Sequence, residues 1–238
     1  MRDVLVIPFS PEESIVIASD NSGGIGLKKD DVVAVPYEIV SYYAFRVAMM
    51  ECIAASAIPF SITLQNFCGD EAWAALTAGI EKGLIELGMA HIPLTGSTES
   101  NFTLKQSAVG ISVMGRVKNN QYDDELLCTD QTEIAIIGQP LVGNEVIEQE
   151  EAVAPLSLCK RICEMPEVNV LPVGSKGILA ELNMLFSNRT FTEASISCEL
   201  DLLRSSGPAT CFIAVFPSYR RGEIEKAAGG YFHKLFVK

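Results

Sequence analysis

The sequence contains little histidine, few basic residues and no long hydrophobic run, and each shortage excludes a class of protein. Its 238 residues include two histidines, His91 and His233, and no CxxC pair among seven cysteines. A zinc site of the usual spacing and a serine-histidine catalytic motif are therefore not predicted. Eighteen Lys and Arg residues against 30 Asp and Glu residues give a net charge of −12. Because this charge repels phosphate backbones and anionic lipids, we expect neither nucleic acid nor a membrane as a partner.

Targeting and membrane-spanning segments are also missing from the pattern. The short apolar run at the N-terminus is followed by Pro11 and two glutamates, whereas a signal peptide needs a longer run. The most apolar stretch, residues 47–60, contains Glu51 and is too short to cross a bilayer. Scattered cysteines in odd number fit free thiols in a reducing compartment, so we expect a cytoplasmic protein. Hydrophobic residues make up 48% of the chain, which is enough for a folded core.

A polar stretch at residues 118–132 is the best candidate for a domain boundary. On both sides of it, short runs of β-branched residues are mixed with helical patterns, which indicates an α+β fold. We therefore predict two domains, 1–118 and 119–238. In the first, strands are predicted at 4–9, 15–19, 31–35, 60–65 and 107–117, and helices at 37–57 and 70–88. In the second, strands are predicted at 133–137, 168–173 and 211–216, and helices at 155–164 and 178–186, followed by a short helical tail.

A glycine-rich stretch, Asp20-Asn-Ser-Gly-Gly-Ile-Gly26, follows the second predicted strand. It is neither a Walker A loop, GxxxxGK[ST], nor the GxGxxG of dinucleotide-binding folds, so neither of those phosphate sites is predicted. The stretch is either a tight turn or a loop whose main-chain amides face an anion. Asp20, at the end of the strand, stands immediately before this loop.

Glu51 falls on an apolar ladder of the helix predicted at 37–57. It is in line with Val47, Ala44 and Val40, which lie one, two and three helical turns back along the same face. A buried carboxylate is costly unless it meets a cation or a metal ion. Three interpretations stay open: a salt bridge to Arg46 or another basic residue, a helix rotation that leaves Glu51 at the polar edge, or a metal ligand.

Two further segments carry ligand-type groups. Residues 94–101, Leu-Thr-Gly-Ser-Thr-Glu-Ser-Asn, are predicted to form a loop, either a polar surface turn or part of a site. Residues 173–177, Val-Gly-Ser-Lys-Gly, open a predicted helix, where free amides and a lysine favour an anion; N-capping by Ser175 is the alternative. With many carboxylates and few histidines, Mg²⁺-dependent phosphate chemistry fits the composition better than acyl transfer.

The motifs occur in a defined order: Asp-x-x-Gly-Gly-Ile-Gly, Asp-Val-Val-x-Val-Pro, Glu-Cys-Ile-Ala-Ala-Ser-Ala-Ile-Pro, Thr-Gly-Ser-Thr, and a Val-Gly-Ile-Ser-Val strand. This order resembles the PurM-like (aminoimidazole ribonucleotide synthetase) superfamily, which includes thiamine-monophosphate kinase and selenophosphate synthetase. The resemblance covers most of residues 1–118. It implies a PurM-like two-domain fold. An N-terminal domain with a mixed sheet would bind ATP and Mg²⁺ and form a barrel across a homodimer, and a shortened C-terminal α/β domain would help to close the site.

Carried over residue by residue, the resemblance implies Mg²⁺ ligands and contacts to ATP. Asp20 matches a metal-binding Asp, and Glu51 falls where the kinase branch has the Asp of a Ser-Asp-Leu-Ala-Ala-Met-Gly-Ala-x-Pro motif. Ser97 replaces the carboxylate of a Gly-Gly-Asp-Thr motif, and Glu99 is the candidate that substitutes for it as a metal ligand. The catalytic candidates are Asp20 and Lys28, and Lys28 would stabilise developing charge. Contacts to ATP are predicted for Gly23, Gly24, Gly26, Thr95, Gly96, Ser97, Thr98 and Asn101.

Within the superfamily, the strings Thr-Gly-Ser-Thr-Glu-x-Asn and Gly-Gln-Pro-Leu-Val-Gly-Asn-Glu-Val look most like the α-ribazole kinase branch, also called α-ribazole-5-phosphate synthase. This implies an ATP- and Mg²⁺-dependent kinase that phosphorylates the ribose 5′-hydroxyl of α-ribazole, a nucleoside-like substrate from which the lower ligand of cobamides is made. The alternatives are another ATP-dependent reaction of the superfamily, such as a thiamine-phosphate-type kinase or a carbonyl-activating synthetase, and a non-catalytic nucleotide-binding dimer.

Overall fold

The computed structural model describes residues 3–119, 121 and 126–238, and the chain forms two compact units. The N-terminal unit is Asp3–Gln121, and the C-terminal unit is Tyr122–Lys238. Part of the predicted boundary at 118–132 lies outside the described residues. The assignment of ATP binding to one predicted domain and of site closure to the other stays a prediction.

The N-terminal unit consists of a five-stranded sheet, a short strand pair and two long helices. Its strands are β1 (Val4–Pro8), β2 (Glu13–Gly23), β3 (Ile25–Gly26), β4 (Val33–Ala34), β5 (Ile58–Asn66), β6 (Leu94–Thr98) and β7 (Ala108–Lys118), and its helices are α1 (Tyr37–Ala54) and α2 (Trp73–Glu86). The large sheet has the order β1-β2-β7-β5-β6, in which β5 and β6 are parallel and the other neighbours antiparallel. Helix α1 packs on β2, β7, β5 and α2.

Alternation along the central strands decides which face of this sheet meets α1. In β2, Val16 and Ala18 are fully buried, whereas the intervening Ile17 is only partly buried. Gly115 of β7 pairs with Val16 and so lies on the same face of the sheet. A Cβ atom added to Gly115 would be 2.7 Å from Sγ of Cys52 in α1, which shows that α1 packs on this face. We call this side of the sheet the helix face and the other side the open face.

The C-terminal unit is a second five-stranded sheet, antiparallel throughout, in the order β10-β12-β8-β11-β9. One face packs against an apolar cluster that includes Ile134, Ile136, Ile178, Leu182 and Leu235. In the strand that contains Ile134 and Ile136, the alternate residues Ala135 and Ile137 are buried on the opposite side of the sheet. The strands are β8 (Thr132–Ile137), β9 (Asn169–Pro172), β10 (Ile196–Ser197), β11 (Phe212–Pro217) and β12 (Phe232–Val237), and the helices are α3 (Glu145–Glu148), α4 (Leu156–Cys163), α5 (Ile178–Leu185) and α6 (Arg221–Ala228).

The mixed α+β class is confirmed, and three local predictions are wrong. Strand β2 runs on through Gly23, so Asp20 lies inside a strand rather than before a loop, because the equally long β7 pairs with β2 over its whole length. The predicted loop at 94–101 begins as strand β6, which β5 pairs in parallel. The predicted helical tail is helix α6 followed by strand β12, which β8 pairs. In each case a neighbouring strand supplies hydrogen bonds that local sequence does not reveal.

The large N-terminal sheet has β1 and β6 as its two outer strands, so within the described residues it does not close into a barrel. The barrel across a homodimer stays a prediction. Among the helices of the described part of the chain, none is long and apolar enough to cross a membrane.

Candidate functional site

Several predicted site residues meet at one end of the large N-terminal sheet. Strand β2 ends at Gly23, opposite Ala108, where β7 begins. One step along, Asn66 at the end of β5 pairs with Val109 of β7 and with Thr98 at the end of β6. This end of the sheet therefore collects Gly23, Gly24, Gly26, Lys28, Thr98, Glu99 and Asn101 from segments that are far apart in sequence.

The chain between β2 and α1 folds back over this end of the sheet, and we call residues 23–33 the glycine segment. The Gly24 amide donates to the Ser107 carbonyl at 2.8 Å, and the Gly24 carbonyl accepts from the Val32 amide at 2.7 Å. At Gly26, where φ is +153°, a Cβ would lie 2.5 Å from Oγ of Ser107 and 2.7 Å from the Tyr37 ring. Only glycine fits there, so the segment has one close-packed path.

Asp31 fastens the glycine segment to the start of β7. Its carboxylate accepts hydrogen bonds from the Ser107 amide at 2.7 Å, the Ser107 hydroxyl at 2.7 Å and the Lys28 amide at 2.8 Å. Partial burial acts to raise the pKa of this carboxyl, but the bonds from Ser107 and Lys28 outweigh it and hold the pKa below its ordinary value. Asp31 opens the Asp-Val-Val-x-Val-Pro motif noted in the sequence, but the motif did not mark it as a candidate site residue.

Lys28 lies at this end of the sheet, with its amine bound to the main chain. Its Nζ donates to the Phe67 carbonyl at 2.9 Å, and the Phe67 amide donates to the carbonyl of Ala108, the residue opposite Gly23. The amine is thus placed close to the end of β2. Its predicted role in stabilising developing charge stays a prediction.

Asn66 joins the ends of β5 and β6 and was also missed. It is fully buried, and its Nδ2 donates to the Thr98 hydroxyl at 3.0 Å and to the Gly69 carbonyl at 2.8 Å. Its Oδ1 accepts from the Cys68 amide at 2.8 Å. No sequence motif identifies this asparagine as a site residue, because its hydrogen bonds join strands that are adjacent only in the folded protein.

Glu99 caps its own loop in this structure. Its Oε1 accepts from the Asn101 amide at 2.7 Å and from the Phe102 amide at 3.3 Å. Asn101 is exposed and Glu99 is partly exposed. The two residues are therefore side by side beyond β6, at the sheet end.

The four residues Thr95-Gly-Ser-Thr98 do not form one cradle, because they are a strand and alternate between its faces. Thr95 and Ser97 are exposed on the open face, where they pair with Thr63 and Gln65 of β5. Gly96 belongs to the helix face, since a Cβ there would lie 3.0 Å from the Trp73 side chain. Thr98 faces Asn66. A single ligand on one face cannot contact all four side chains.

Asp20 lies on the helix face of β2, in line with Val16 and Ala18. It is partly buried, and this burial raises the pKa of its carboxyl to about 6; a hydrogen bond from the Asn21 main chain offsets only part of that rise. The charged form of Asp20 is thus costly in the chain alone, and a bound cation would lower that cost.

Glu51 is buried, with 9% of its surface exposed, in the C-terminal half of α1. The neighbouring Cys52 packs at Gly115, which is opposite Val16 in β2. Val16 is four residues from Asp20, about 13 Å along a strand. The structure therefore sets Glu51 at a different level of the sheet from Asp20.

The predicted metal set of Asp20, Glu51 and Glu99 is accordingly not assembled as one cluster. Asp20 is on β2, Glu51 is on α1, and Glu99 follows β6, three strands away from β2 in the sheet order. Among the residues that the structure describes, no group of three or more His, Cys, Asp or Glu side chains is placed to hold a metal ion. Sequence spacing could not show this, because it does not fix the distance between a helix and two strands.

The sequence left two interpretations open at residues 173–177, an anion site and an N-cap by Ser175, and the structure shows a competitor for the anion and no such cap. The Gly174 amide donates to Oε1 of Glu181 at 3.3 Å, and Glu181 is buried in the first half of α5. A carboxylate of the helix itself thus takes the place that an anion would need. Ser175 does not cap the helix either.

The C-terminal unit contains two grooves that no predicted residue lines. One, of about 390 Å³, lies beside Arg221, Lys234 and Phe236, and the other, of about 330 Å³, beside Glu133 and Lys234. Arg221 Nε donates to Glu133 Oε2 at 2.6 Å and Lys234 Nζ is 3.9 Å from the same oxygen, so both of these cations are already paired. For this reason we place the candidate site at the N-terminal sheet end and not in these two grooves.

No protein-family model and no curated protein sequence matches this chain. Solved structures do. PurL of Thermotoga maritima complexed with ADP superposes with a TM-score of 0.65 at 13% identity, over 100% of this chain and 42% of that chain. HypE of E. coli, a hydrogenase maturation protein, gives a TM-score of 0.61 at 10% identity, over 93% of this chain and 80% of that chain. The protein of the HypE-HypF complex structure gives 0.60 at 12% identity, over 98% and 87%.

These similarities define the fold as PurM-like, since PurL and HypE are PurM-like proteins. At 10–14% identity they define the fold alone. The chain spans about two fifths of the length of PurL, 42% of it in the ADP complex. The α-ribazole kinase branch is not among the structures named above.

Proposed function

We propose that this chain is an ATP- and Mg²⁺-dependent phosphotransferase whose acceptor is the ribose hydroxyl of a nucleoside-like molecule, with α-ribazole as the first candidate. One observation carries the proposal: the glycine segment, Lys28 and the end of β6 lie along the same end of a PurM-like sheet. The neighbouring PurL structures were crystallised with ADP, ATP and AMPPCP, which supports a nucleotide at this fold.

The residues have separate tasks in this proposal. The glycine segment lets the phosphates approach its main chain, because Gly23 and Gly24 carry no side chain; the Gly24 amide, which is bonded to the Ser107 carbonyl, is not one of the proposed donors. Asp20 is the proposed Mg²⁺ ligand that the structure fits best, since a cation would offset the burial of its charge. Bound Mg²⁺ supplies charge neutralisation along the triphosphate. Glu51 and Glu99 stay proposed ligands, and because they do not adjoin Asp20, each would contact a separate ion.

The transfer itself requires positioning and electrostatic stabilisation. A bond forms between the acceptor hydroxyl oxygen and the γ-phosphorus of ATP while the bond from that phosphorus to the β–γ bridging oxygen breaks. ADP leaves and the hydroxyl proton passes to solvent. Lys28, whose amine is held at the Phe67 carbonyl, would turn towards the transferring group to stabilise its charge.

Nucleotide binding is tested first, by thermal unfolding with Mg²⁺, ATP or both. We expect a rise in Tm only with both, worth about 2.7 kcal/mol at one hundred times the Kd. ADP formation is then measured with α-ribazole, adenosine and thiamine monophosphate. The absence of a Tm shift at millimolar Mg²⁺-ATP would contradict the proposal. If thiamine monophosphate were the only one of the three acceptors to give ADP, the protein would be a thiamine-phosphate-type kinase instead.

A non-catalytic nucleotide-binding dimer is the second candidate. Two observations favour it: Ser97 stands where the resembled motif has a carboxylate, and the acidic candidates are dispersed over β2, α1 and the end of β6. It predicts a Tm shift with Mg²⁺-ATP and no ADP formation with any acceptor. The Ser97→Asp variant restores the carboxylate of the resembled motif. ADP formation by this variant would indicate a kinase that lost its activity through the change to serine, and no ADP formation would indicate a protein that only binds the nucleotide.

The open face of the N-terminal sheet supports a homodimer. Leu5 and Ile7 of β1 are 59% and 40% exposed, and Leu5 is opposite Ile17, which is opposite Met114. An apolar row on a sheet face favours burial against a second surface. We expect light scattering to give about twice the monomer mass of 25.8 kDa. A charged residue in this row, Leu5→Lys, should give monomer, whereas a wild-type monomer at micromolar concentration would contradict the proposal.

A further inference from the structure

The carboxylate of Asp31 connects two segments of the N-terminal unit and is not used by the proposed chemistry. Its oxygens accept from Lys28 in the glycine segment and from both the amide and the hydroxyl of Ser107, which directly precedes β7. The three donor–acceptor distances are 2.7–2.8 Å. Hydrogen bonds to a charged acceptor are about twice as strong as neutral ones. Asp31 is therefore a strong tie between two segments 76 residues apart.

The tie continues into α1. The Ser107 Oγ and the Tyr37 hydroxyl are 3.0 Å apart, and Tyr37, the first residue of α1, is 8% exposed. Since the single Ser107 hydroxyl proton is donated to Asp31, the Tyr37 hydroxyl must donate to Ser107. The order Tyr37 to Ser107 to Asp31 is thus fixed by the charge at its end. We call these three side chains the latch.

The latch encloses the turn of the glycine segment. Gly26 packs directly against two of its members, Ser107 and Tyr37, at distances where no other residue fits. The main chain on both sides is bonded to the same region: the Gly24 amide to Ser107, and the Val35 amide to the Gly26 carbonyl at 3.1 Å. A loop that is ordered before its ligand arrives does not lose conformational freedom on binding, so its affinity is higher.

We propose that Asp31 is a positioning residue: through Ser107 and Tyr37 it holds the glycine segment in the shape that binds the phosphates of a nucleotide. The inference rests on the proposed nucleotide site but not on the identity of the acceptor. It is a specific claim about affinity. A carboxylate with a merely structural role would change the stability of the unit and leave the affinity of the folded protein as it is.

The experiment compares Asp31→Asn with Asp30→Asn. Both variants remove one negative charge from the same segment. Asp30 is exposed, and its main-chain carbonyl, which the variant keeps, accepts a hydrogen bond from the Gln106 side chain. Calorimetric titration with Mg²⁺-ATP measures Kd, and hydrogen exchange of the apo protein measures protection of the Gly24, Lys28 and Val32 amides. We expect Asp31→Asn to raise Kd about tenfold or more, the order of a lost bond to a charged group, and to speed exchange at these amides. Asp30→Asn should change Kd by less than about twofold.

Two further variants keep the test decisive if Asp31→Asn unfolds. Tyr37→Phe removes only the hydroxyl at the far end of the latch, and Asp31→Glu keeps the charge, so the first should weaken binding and the second should restore part of it. A lowered Tm with unchanged Kd in these variants overturns the inference and leaves the proposed function intact. If the wild type does not bind Mg²⁺-ATP, the proposed function fails. Exchange then decides the latch alone, and unchanged protection in Asp31→Asn overturns it.

Discussion

Asp20 and Asp31 belong to the same unit and are eleven positions apart, yet the structure treats their charges in opposite ways. Asp20 lies among the buried residues of a strand, where burial raises the pKa of its carboxyl to about 6. For Asp31, which is much less buried, hydrogen bonds from Ser107 and Lys28 overcome the effect of burial and lower the pKa. The comparison separates two kinds of carboxylate: Asp31 is stabilised by hydrogen bonds within the protein, whereas the burial of Asp20 is offset only in part by a main-chain bond, so a bound cation would stabilise its charge.

Replacing Asp20 should give the largest effect on function. Asp20→Asn removes the proposed Mg²⁺ ligand, so we expect ADP formation to fall more than about 100-fold, beyond the effect of changing a group that only supports a ligand. The apo protein should respond in the opposite sense. Because the folded pKa lies above the unfolded value, the native state binds more protons between about pH 4 and pH 6, and the wild type loses stability as pH rises through this range.

Urea unfolding at several pH values measures this second effect. Asp20→Asn should be more stable than the wild type at pH 7.5, by a margin that shrinks as the pH falls through 6 towards 4, because the wild-type carboxyl becomes protonated in the folded state first and in the unfolded state below pH 4. Asp70→Asn, in the turn before α2, serves as the control, and its stability should not exceed that of the wild type at pH 7.5. A variant that is less stable than the wild type at pH 7.5 would show that Asp20 is satisfied within the chain, like Asp31.

Glu51 extends the comparison to a helix. If it is a Mg²⁺ ligand, as proposed, Glu51→Gln removes the charge that holds the ion, so the Tm shift with Mg²⁺-ATP should be lost. Paired melting curves with and without Mg²⁺-ATP check this result. If Glu51 is instead half of a buried ion pair, stability should fall by roughly 3–5 kcal/mol with the nucleotide response preserved. That second outcome would contradict its role as a ligand.

The fold could be predicted further from the sequence than the site could. Hydrophobic alternation and helical ladders are local, so α1, α2, β7 and β8 were expected close to where they occur. The glycine segment was recognised by its composition. The Asp31–Ser107 tie and the burial of Asn66 were not, because both depend on partners brought in by strand pairing.

The reading of residues 94–101 as a loop failed for the same reason. Hydroxyl residues and glycine favour turns when considered locally. In the fold, however, β5 presents a row of free hydrogen-bonding groups, and the segment pairs with it from Leu94 to Thr98. Once the segment is a strand, neighbouring residues point to opposite faces, and a motif that looked like one cluster of ligands becomes two.

The smallest expected effect tests this alternation directly, by comparing Thr98→Val with Ser97→Ala. Thr98→Val keeps the shape of the side chain but leaves the buried Nδ2 of Asn66 without the bond to the Thr98 hydroxyl, so stability should fall by about 1 kcal/mol. Ser97 is exposed on the open face, and Ser97→Ala should change stability by less than about 0.5 kcal/mol. Urea midpoints of the two variants, measured with equal m-values, give both numbers. Equal losses would mean that residues 95–98 act from one face as a loop, and the assignment of Thr98 and Ser97 to opposite sides of the sheet would then be wrong.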